Sequence, residues 1–223
     1  MFSLSPEEWT AVELSLRIAV VATVVSLPFG IAVAWLLARK DFWGKALLDG
    51  VVHLPLVLPP VVTGYLLLIT FGRKGAVGSF LADIGIVFSF RWTGAALACG
   101  VMAFPLLVRA IRLSFEAIDR RLEDAASTLG ANGIWAFLTV TLPLALPGIL
   151  AGTILCFILA MNAYATPFLL GGPLFKMMAP LVYNQFTQQA NWPFGGAIAF
   201  ILMSVTLSLT LIANLLIQRR SAR

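Results

Sequence analysis

Charged residues are scarce in this chain. Of its 223 residues, 11% are Asp, Glu, Lys or Arg, whereas 60% are hydrophobic, and the mean hydropathy is +0.96. A water-soluble globular domain carries about 25% charged residues, so a soluble fold of this size is excluded. The composition predicts a polytopic membrane protein that leaves no length for a separate soluble domain.

The residues that carry most enzyme chemistry are also rare. His53 is the single histidine, and we predict a packing or interfacial role because a proton relay needs a partner. Cys99 and Cys156 lie in apolar runs without metal-ligand spacing, which predicts buried, reduced thiols. The chain contains no Gly-x-x-x-x-Gly-Lys-Ser/Thr loop, no His-Glu-x-x-His motif and no paired catalytic carboxylates. The sequence therefore predicts that the chain is not an enzyme and binds no cofactor or metal itself. Its basic residues flank apolar runs, which disfavours a nucleic-acid partner.

Apolar runs long enough to cross a bilayer recur along the chain. A hydrocarbon core of about 30 Å needs roughly 20 apolar residues. We predict an all-α fold with five spans, at about 12–38, 48–71, 91–109, 144–165 and 196–217. A sixth span would have to come from 72–90 or 168–189, and neither region is both long and apolar enough. The second region predicts an external amphipathic helix. Its apolar side would hold Met177, Met178, Leu181, Val182 and Phe186, and its polar side Asn184, Gln185, Gln188 and Gln189.

The basic residues predict the orientation. Segments 39–45, 109–141 and 219–223 hold ten Lys or Arg residues, against four on the other face. The positive-inside rule therefore places these segments in the cytoplasm, with the N-terminus outside and the C-terminus inside. No acid or base lies well inside a span, where ion-coupled transporters keep ionisable groups. A proton-coupled mechanism is disfavoured, and the energy for any transport has to come from elsewhere.

The cytoplasmic loop 113–143 holds four of the ten acidic residues. A helix-forming run extends over 113–129, Gly130 breaks it, and Pro143 predicts a turn before the next span. The set Asp124-Ala125-Ala126, Gly130 and Val140-x-Leu142-Pro143 resembles, in its spacing, the signature loop of permease subunits in ABC importers. That family usually has Glu where this chain has Asp124, and here Glu123 directly precedes it.

This resemblance implies a short coupling helix, roughly Asp124 to Phe137, that docks into a groove on an ATPase subunit. The residues concerned are Glu123, Asp124, Ala125, Ala126, Gly130, Trp135 and Phe137. Small alanines permit close approach, Gly130 permits the turn, and the two aromatic side chains supply a knob for the groove. The alternative from the residue types alone is an amphipathic helix that lies on the membrane surface and binds nothing.

The family resemblance also implies partners. They are ATPase subunits that use ATP and Mg, an extracytoplasmic solute-binding protein, and a second copy of this chain in a homodimer around a central path. The setting would be the cytoplasmic (inner) membrane of a bacterium or archaeon. The rival from another class is a membrane scaffold or an embedded enzyme, which would need no ATPase.

The second span contains three prolines, Pro55, Pro59 and Pro60, which predict a kink or an unwound stretch. One interpretation is a broken helix that lines the translocation path with Thr63 and Tyr65. The other is a packing kink beside Gly64, whose small size suits a close helix contact. The polar end of the fourth span adds three path candidates, Asn162, Tyr164 and Thr166.

Two parts of the chain resemble permeases for different transported solutes. Residues 9–152 are similar to molybdate permeases, on the stretches 42–49, 53–60 and 104–112. Those permeases usually continue with Gly-Glu-Phe-Gly-Ala-Thr, where this chain reads Met161-Asn-Ala-Tyr-Ala-Thr166. The C-terminal third, on 166–172, 181–186 and 191–195, is more similar to polyamine-type importer permeases. The longer resemblance implies molybdate or a similar oxyanion, and the shorter one a polyamine or another small solute.

Overall fold

The structure is a computed structural model that describes residues 6–172 and 177–221. Side chains are described for 9–172 and, with gaps after 208, for 177–215. The described residues are helical and contain no strand, so the predicted all-α class is confirmed. The helices are α1 (Pro6–Arg39), α2 (Lys45–Val57), α3 (Pro60–Phe71), α4 (Ala76–Asp83), α5 (Trp92–Glu116), α6 (Arg120–Thr128), α7 (Gly133–Ala136), a π-helical turn (Phe137–Thr141), α8 (Leu142–Asn162), α9 (Ala165–Gly171), α10 (Met178–Thr187) and α11 (Trp192–Ser221).

Three helical stretches in the described part are long and apolar enough to cross a membrane: Trp9–Arg39, Trp92–Glu116 and Gly133–Asn162. The pair α2 and α3 qualifies as a fourth when its two halves are taken together. Helix α11 has 30 residues, but its apolar stretch in the described part, Trp192–Ser208, is shorter. Each predicted run thus coincides with one of these elements, and the number of spans in the bilayer stays a prediction.

The second predicted run is broken as expected, at Pro59 and Pro60, whereas Pro55 lies inside α2. Leu58 and Pro59 adopt extended backbone conformations between α2 and α3, and the two helices meet at a bend of 117°. Pro59 lacks an N–H and disfavours a helical conformation at Leu58, whereas Pro60 fits the first position of a new helix. The bend turns α3 toward α9, against which it packs.

Two local predictions in the loop 113–143 are wrong. The run 113–129 is not one helix, because α5 ends at Glu116 and α6 begins at Arg120 with Asp119 as its cap. No turn precedes Pro143 either: Leu142 is helical, and the chain is helical from Gly133 to Asn162. A π-helical turn over Phe137–Thr141 ends two residues before this proline. Such a turn inserts an extra residue, which accommodates the missing N–H and the ring of Pro143.

Helix α5 packs against both α1 and α8. Small residues make this contact close, because an added Cβ at Gly148 would collide with Ser114, and one at Gly152 would lie 3.1 Å from the Leu107 carbonyl oxygen. Membrane helices associate through such small residues. The buried core around the end of α1 consists of Ala34, Leu37, Val52, Ala103, Leu107, Val108, Ile111, Phe115, Ala145, Ile149 and Cys156.

The predicted external amphipathic helix corresponds to α10, with one correction. Met178 and Leu181 are buried as expected, but Gln185, which the pattern assigns to the polar side, is only 6% exposed. Helix α10 packs on α1, α8 and α11, and its first turn is fixed by the Ser15 Oγ, which accepts the Met178 N–H at 2.8 Å. Neighbouring helices thus bury part of the polar side of α10 as well. A helix that lies at a membrane interface would bury only its apolar side.

Candidate functional site

The candidate coupling segment consists of α6, the turn after it, and α7. Asp119 caps α6 by accepting the Arg121 N–H at 3.0 Å, and Glu123 in the first turn complements the positive end of the helix dipole. No residue of α6 is buried. Four large apolar side chains of the segment are exposed: Leu122, Leu129 (89%), Ile134 and Trp135 (61%). Several large apolar side chains exposed in one short segment are typical of a protein contact.

The turn after α6 explains the Ala126–Gly130 spacing. Gly130 has φ +90°, its N–H donates to the Ser127 carbonyl at 3.0 Å, and the Ala131 N–H donates to the Ala126 carbonyl at 3.1 Å. This pair of bonds is the Schellman motif, in which glycine takes the left-handed position. A Cβ at Gly130 would meet nothing within 4 Å. Glycine is therefore required by the backbone conformation and not by lack of space.

Asn132 then caps α7 by accepting the Trp135 N–H at 2.8 Å. This places Trp135 on the outer surface. Phe137 instead lies half-buried, with its ring centroid 5.8 Å from that of Trp35 and 6.1 Å from that of Phe115. Its ring packs against the apolar core where α8 begins, and a docking role for Trp135 and Phe137 stays a prediction.

The acidic pair of the signature faces two ways. Asp124 and Ala125 are exposed and Ala126 is half-buried. Glu123 turns inward, where its Oε1 lies 2.9 Å from Arg39 Nη2 and accepts the Thr141 hydroxyl at 2.7 Å. Arg39 Nη2 also donates to the Ile118 carbonyl at 3.1 Å. From the sequence, Arg39 is only one of the basic residues that predict the orientation, and Thr141 is not a candidate. No periodic spacing connects either residue to Glu123.

The five path candidates do not converge on one cavity. Thr63 and Thr166 are buried, and their hydroxyls donate to the carbonyls of Pro59 (3.4 Å) and Pro60 (2.9 Å) at the helix break. A Cβ at Gly64 would lie 3.1 Å from the Thr166 Cα. Both hydroxyls thus bind backbone carbonyls at the break, which supports the packing interpretation for these two residues.

The other three path candidates are more accessible. Tyr65 is 57% exposed, and Asn162, also exposed, donates its side-chain N–H to the Ile158 carbonyl at 2.8 Å. Tyr164 stacks on Tyr183 with ring centroids 4.6 Å apart. An apolar cavity of about 560 Å³ lies between α1, α2 and α5, and none of the five lines it. Their place along a translocation path stays a prediction.

His53 belongs to a small network of polar contacts with Asp49 and Arg112. Within the described residues, no cluster of three His, Cys, Asp or Glu side chains could hold a metal ion. His53 Nδ1 lies 2.9 Å from the carbonyl oxygen of Asp49, whose carboxylate pairs with Arg112 at 3.1 Å. This network joins α2 to α5. It is a structural link, in keeping with the packing or interfacial role predicted for His53.

Comparison with known proteins assigns the family. The model of the family described as "Binding-protein-dependent transport system inner membrane component" matches residues 26–222. The chain is 60% identical over 155 residues to the molybdenum transport system permease protein ModB of Escherichia coli K12, covering 69% of this chain and 68% of that protein. It is 32% identical over 221 residues to the sulfate transport system permease protein CysT of Salmonella typhimurium LT2, covering 98% and 80%.

A solved structure shows the same fold. A chain of a bacterial ABC transporter involved in the import of the acidic polysaccharide alginate superposes with a TM-score of 0.79 at 18% identity, covering 97% of this chain and 80% of that one. The resemblance to molybdate permeases over about two thirds of the chain is confirmed, whereas the polyamine-like C-terminal third stays a prediction. This chain belongs to the inner-membrane component family of binding-protein-dependent transport systems, as a multi-pass permease of the ABC importer type.

Proposed function

We propose that this permease moves molybdate, or a similar oxyanion, into the cytoplasm as part of an ATP-driven importer. The observation that carries the proposal is the 60% identity over 155 residues with a permease named for molybdenum transport. The sulfate permease that matches almost the whole chain adds support, because sulfate and molybdate are both tetrahedral dianions. The polyamine alternative would require a path that suits cations.

The energy would come from ATPase subunits that hydrolyse ATP with Mg and dock on the coupling segment. The exposed Leu129 and Trp135 supply apolar contacts for a groove, and Asp124 supplies an exposed charge. Closure of the ATPases would push on this segment and switch the cavity from inward- to outward-facing. The chain itself contributes no nucleotide chemistry in this scheme.

The complete importer would contain two copies of this chain around a central path, and a solute-binding protein on the outer face. We place the N-terminus outside and the C-terminus in the cytoplasm, since this orientation exposes the coupling segment to the ATPases. Lys and Arg are missing from the runs 18–38, 50–72 and 142–175. A path without fixed cations binds an oxyanion weakly, so the affinity would reside in the binding protein and release would be fast.

Uptake by the reconstituted complex tests this function. The chain is purified with its own ATPase and binding protein and placed in liposomes. Molybdate, sulfate and putrescine are then offered separately, with and without ATP on the side of the membrane that the ATPase subunits face. We expect ATP-dependent uptake of molybdate and inhibition by Gly130→Asp, which disrupts the coupling turn but not membrane insertion. ATP-dependent uptake of putrescine without molybdate would overturn the cargo assignment. Normal transport by Gly130→Asp would overturn the coupling assignment.

A further inference from the structure

The buried side chain of Arg39 connects the coupling segment to the first membrane helix. Helix α6 makes its main contacts with α7 and the π-helical turn and buries none of its own residues. Its Glu123 reaches inward to Arg39, whose side chain is only 7% exposed at the end of α1. Among the described residues, no other salt bridge joins α6 to another helix. This salt bridge therefore ties α6 directly to α1, beside its contacts with α7 and the π-helical turn.

Four elements meet at this link. Arg39 comes from α1, Ile118 from the connector between α5 and α6, Glu123 from α6, and Thr141 from the π-helical turn. The Arg39 guanidinium donates to the Ile118 carbonyl (3.1 Å) and pairs with Glu123 (2.9 Å), while the fully buried Thr141 donates to the same carboxylate oxygen (2.7 Å). The π-helical turn matters here, because its extra residue sets the angular position of Thr141. We call these four residues the clamp.

The clamp differs from a surface ion pair because the Arg39 side chain is only 7% exposed and the Glu123 side chain 28%. Exposed pairs are screened by water and hold two flexible side chains weakly, whereas breaking a buried pair leaves a charge without a partner. The Arg39 Nε is buried and has no hydrogen-bond partner among the described residues. The arginine is therefore held through its Nη2 atom, which contacts both Glu123 of α6 and the Ile118 carbonyl. Its Nε–H donor is not used.

We infer that Arg39 and Thr141 are positioning residues for energy coupling: by holding Glu123, they make α6 move as one body with α1 and the start of α8. A push from a docked ATPase then displaces the membrane helices directly, whereas a loose α6 would absorb it. This inference rests on the proposed docking of ATPases to the coupling segment. It adds the transmission step between that segment and the spans.

Thr141 offers a nearly isosteric test. Thr141→Val removes the hydroxyl that holds Glu123, and Thr141→Ser keeps it. In the reconstituted complex, we expect Thr141→Val to retain the ATPase subunits but to lower the amount of molybdate transported per ATP hydrolysed at least fivefold, with Thr141→Ser within twofold of the parent chain. Equal ratios for the two variants would overturn the inference. So would loss of ATPase binding by Thr141→Val, since the clamp would then shape the docking surface.

Arg39→Met tests the same link from the other side, and Arg112→Met is its control, because Arg112 also pairs with a carboxylate of another helix but lies outside the clamp. We expect the transport-to-hydrolysis ratio to fall at least fivefold for Arg39→Met and to change less than twofold for Arg112→Met. A fall of the same size in both would mean that any broken ion pair has this effect, and the clamp would have no special role.

A distance measurement makes the test independent of cargo. Spin labels attached through Lys40→Cys and Ser127→Cys, both at exposed positions, report the separation of α1 from α6 in the full chain in lipid nanodiscs. We expect the distance distribution to be at least twofold broader with Thr141→Val than with Thr141→Ser. Equal widths would overturn the clamp. If the parent complex carries no molybdate while the widths differ, the cargo proposal fails and the clamp stands.

Discussion

Single side chains and single backbone conformations carry much of the candidate site. Gly130 shows this most clearly, since its left-handed backbone closes the turn after α6 and the space around its Cα is open. Gly133, three residues later, is equally uncrowded but has an ordinary backbone conformation. The two glycines therefore separate the effect of backbone strain from the effect of added bulk.

Gly130→Ala should weaken binding of the ATPase subunit about 5- to 30-fold. A left-handed conformation costs a non-glycine residue about 1–2 kcal/mol, and each 1.4 kcal/mol corresponds to about tenfold in affinity. The measurement is a titration of the purified permease with its ATPase. Gly133→Ala is the control and should stay within about twofold. Equal weakening by both substitutions would show that bulk, not backbone strain, matters in this turn.

At the helix break, Thr166→Val should lower the stability of the permease by about 0.5–1.5 kcal/mol, the usual net contribution of one hydrogen bond. Its hydroxyl bonds across elements to the Pro60 carbonyl, whereas the Thr153 hydroxyl bonds to the Ile149 carbonyl within its own helix. Thr153→Val is therefore the matched control, with a smaller expected loss. Thermal unfolding of the detergent-solubilised protein measures both, and a larger loss for Thr153→Val would contradict the role given to Thr166.

At the scale of elements, helix contacts depend on residues without large side chains. Gly148 of α8 faces Ser114 and Ala110 of α5 closely enough that an added Cβ would collide with Ser114. In the bilayer, helices gain little from the hydrophobic effect against each other, and close packing becomes the main attraction. The central position of α5 follows from these close contacts with its neighbours.

Gly148→Ala should destabilise the bundle by about 1–3 kcal/mol, the range for overpacking a filled interior. Because α5 and α8 flank the coupling segment, we also expect weaker transport. The control is Gly50→Ala in α2, where a Cβ meets nothing within 4 Å. Chemical or thermal unfolding in detergent measures the difference. A neutral Gly148→Ala would show that the contact between α5 and α8 accommodates an added methyl group, which would contradict the close packing proposed here for these two helices.

Prolines show how far elements can be predicted. Pro59 and Pro60 break the second apolar run as the sequence indicates, because two successive residues lose backbone donors and the neighbouring Leu58 is pushed into an extended conformation. Pro143 has the same local preference, yet the helix continues through it after a π-helical turn. The packing of Phe137 and Thr141 against α1, α5 and α6 outweighs that preference, and no local pattern reports it.

For the whole molecule, the distribution of basic residues predicts the orientation. Ser79 on α4 and Ser127 on α6 are both exposed and fall on opposite sides of the membrane in that arrangement. The two native cysteines are buried, so they contribute little background to thiol labelling.

In intact cells, a membrane-impermeant maleimide should therefore label Ser79→Cys, and Ser127→Cys only after the membrane is permeabilised. The reason is that segment 109–141 carries several arginines, which the membrane retains on the cytoplasmic side. Labelling efficiency by gel shift is the measurement. Labelling of Ser127→Cys in intact cells would reverse the topology and remove the coupling segment from the reach of an ATPase.

The sequence alone determined the membrane class, the apolar runs, the family and the location of the turn at Gly130. These depend on composition, on local backbone preferences and on a spacing within one segment, all of which are encoded by neighbouring residues. Only the tertiary structure decided that Glu123 faces inward to Arg39, that Phe137 belongs to the core and that Gln185 is buried. Those outcomes depend on which distant helices pack together, because a side chain on an amphipathic segment is buried or exposed according to its neighbours in space.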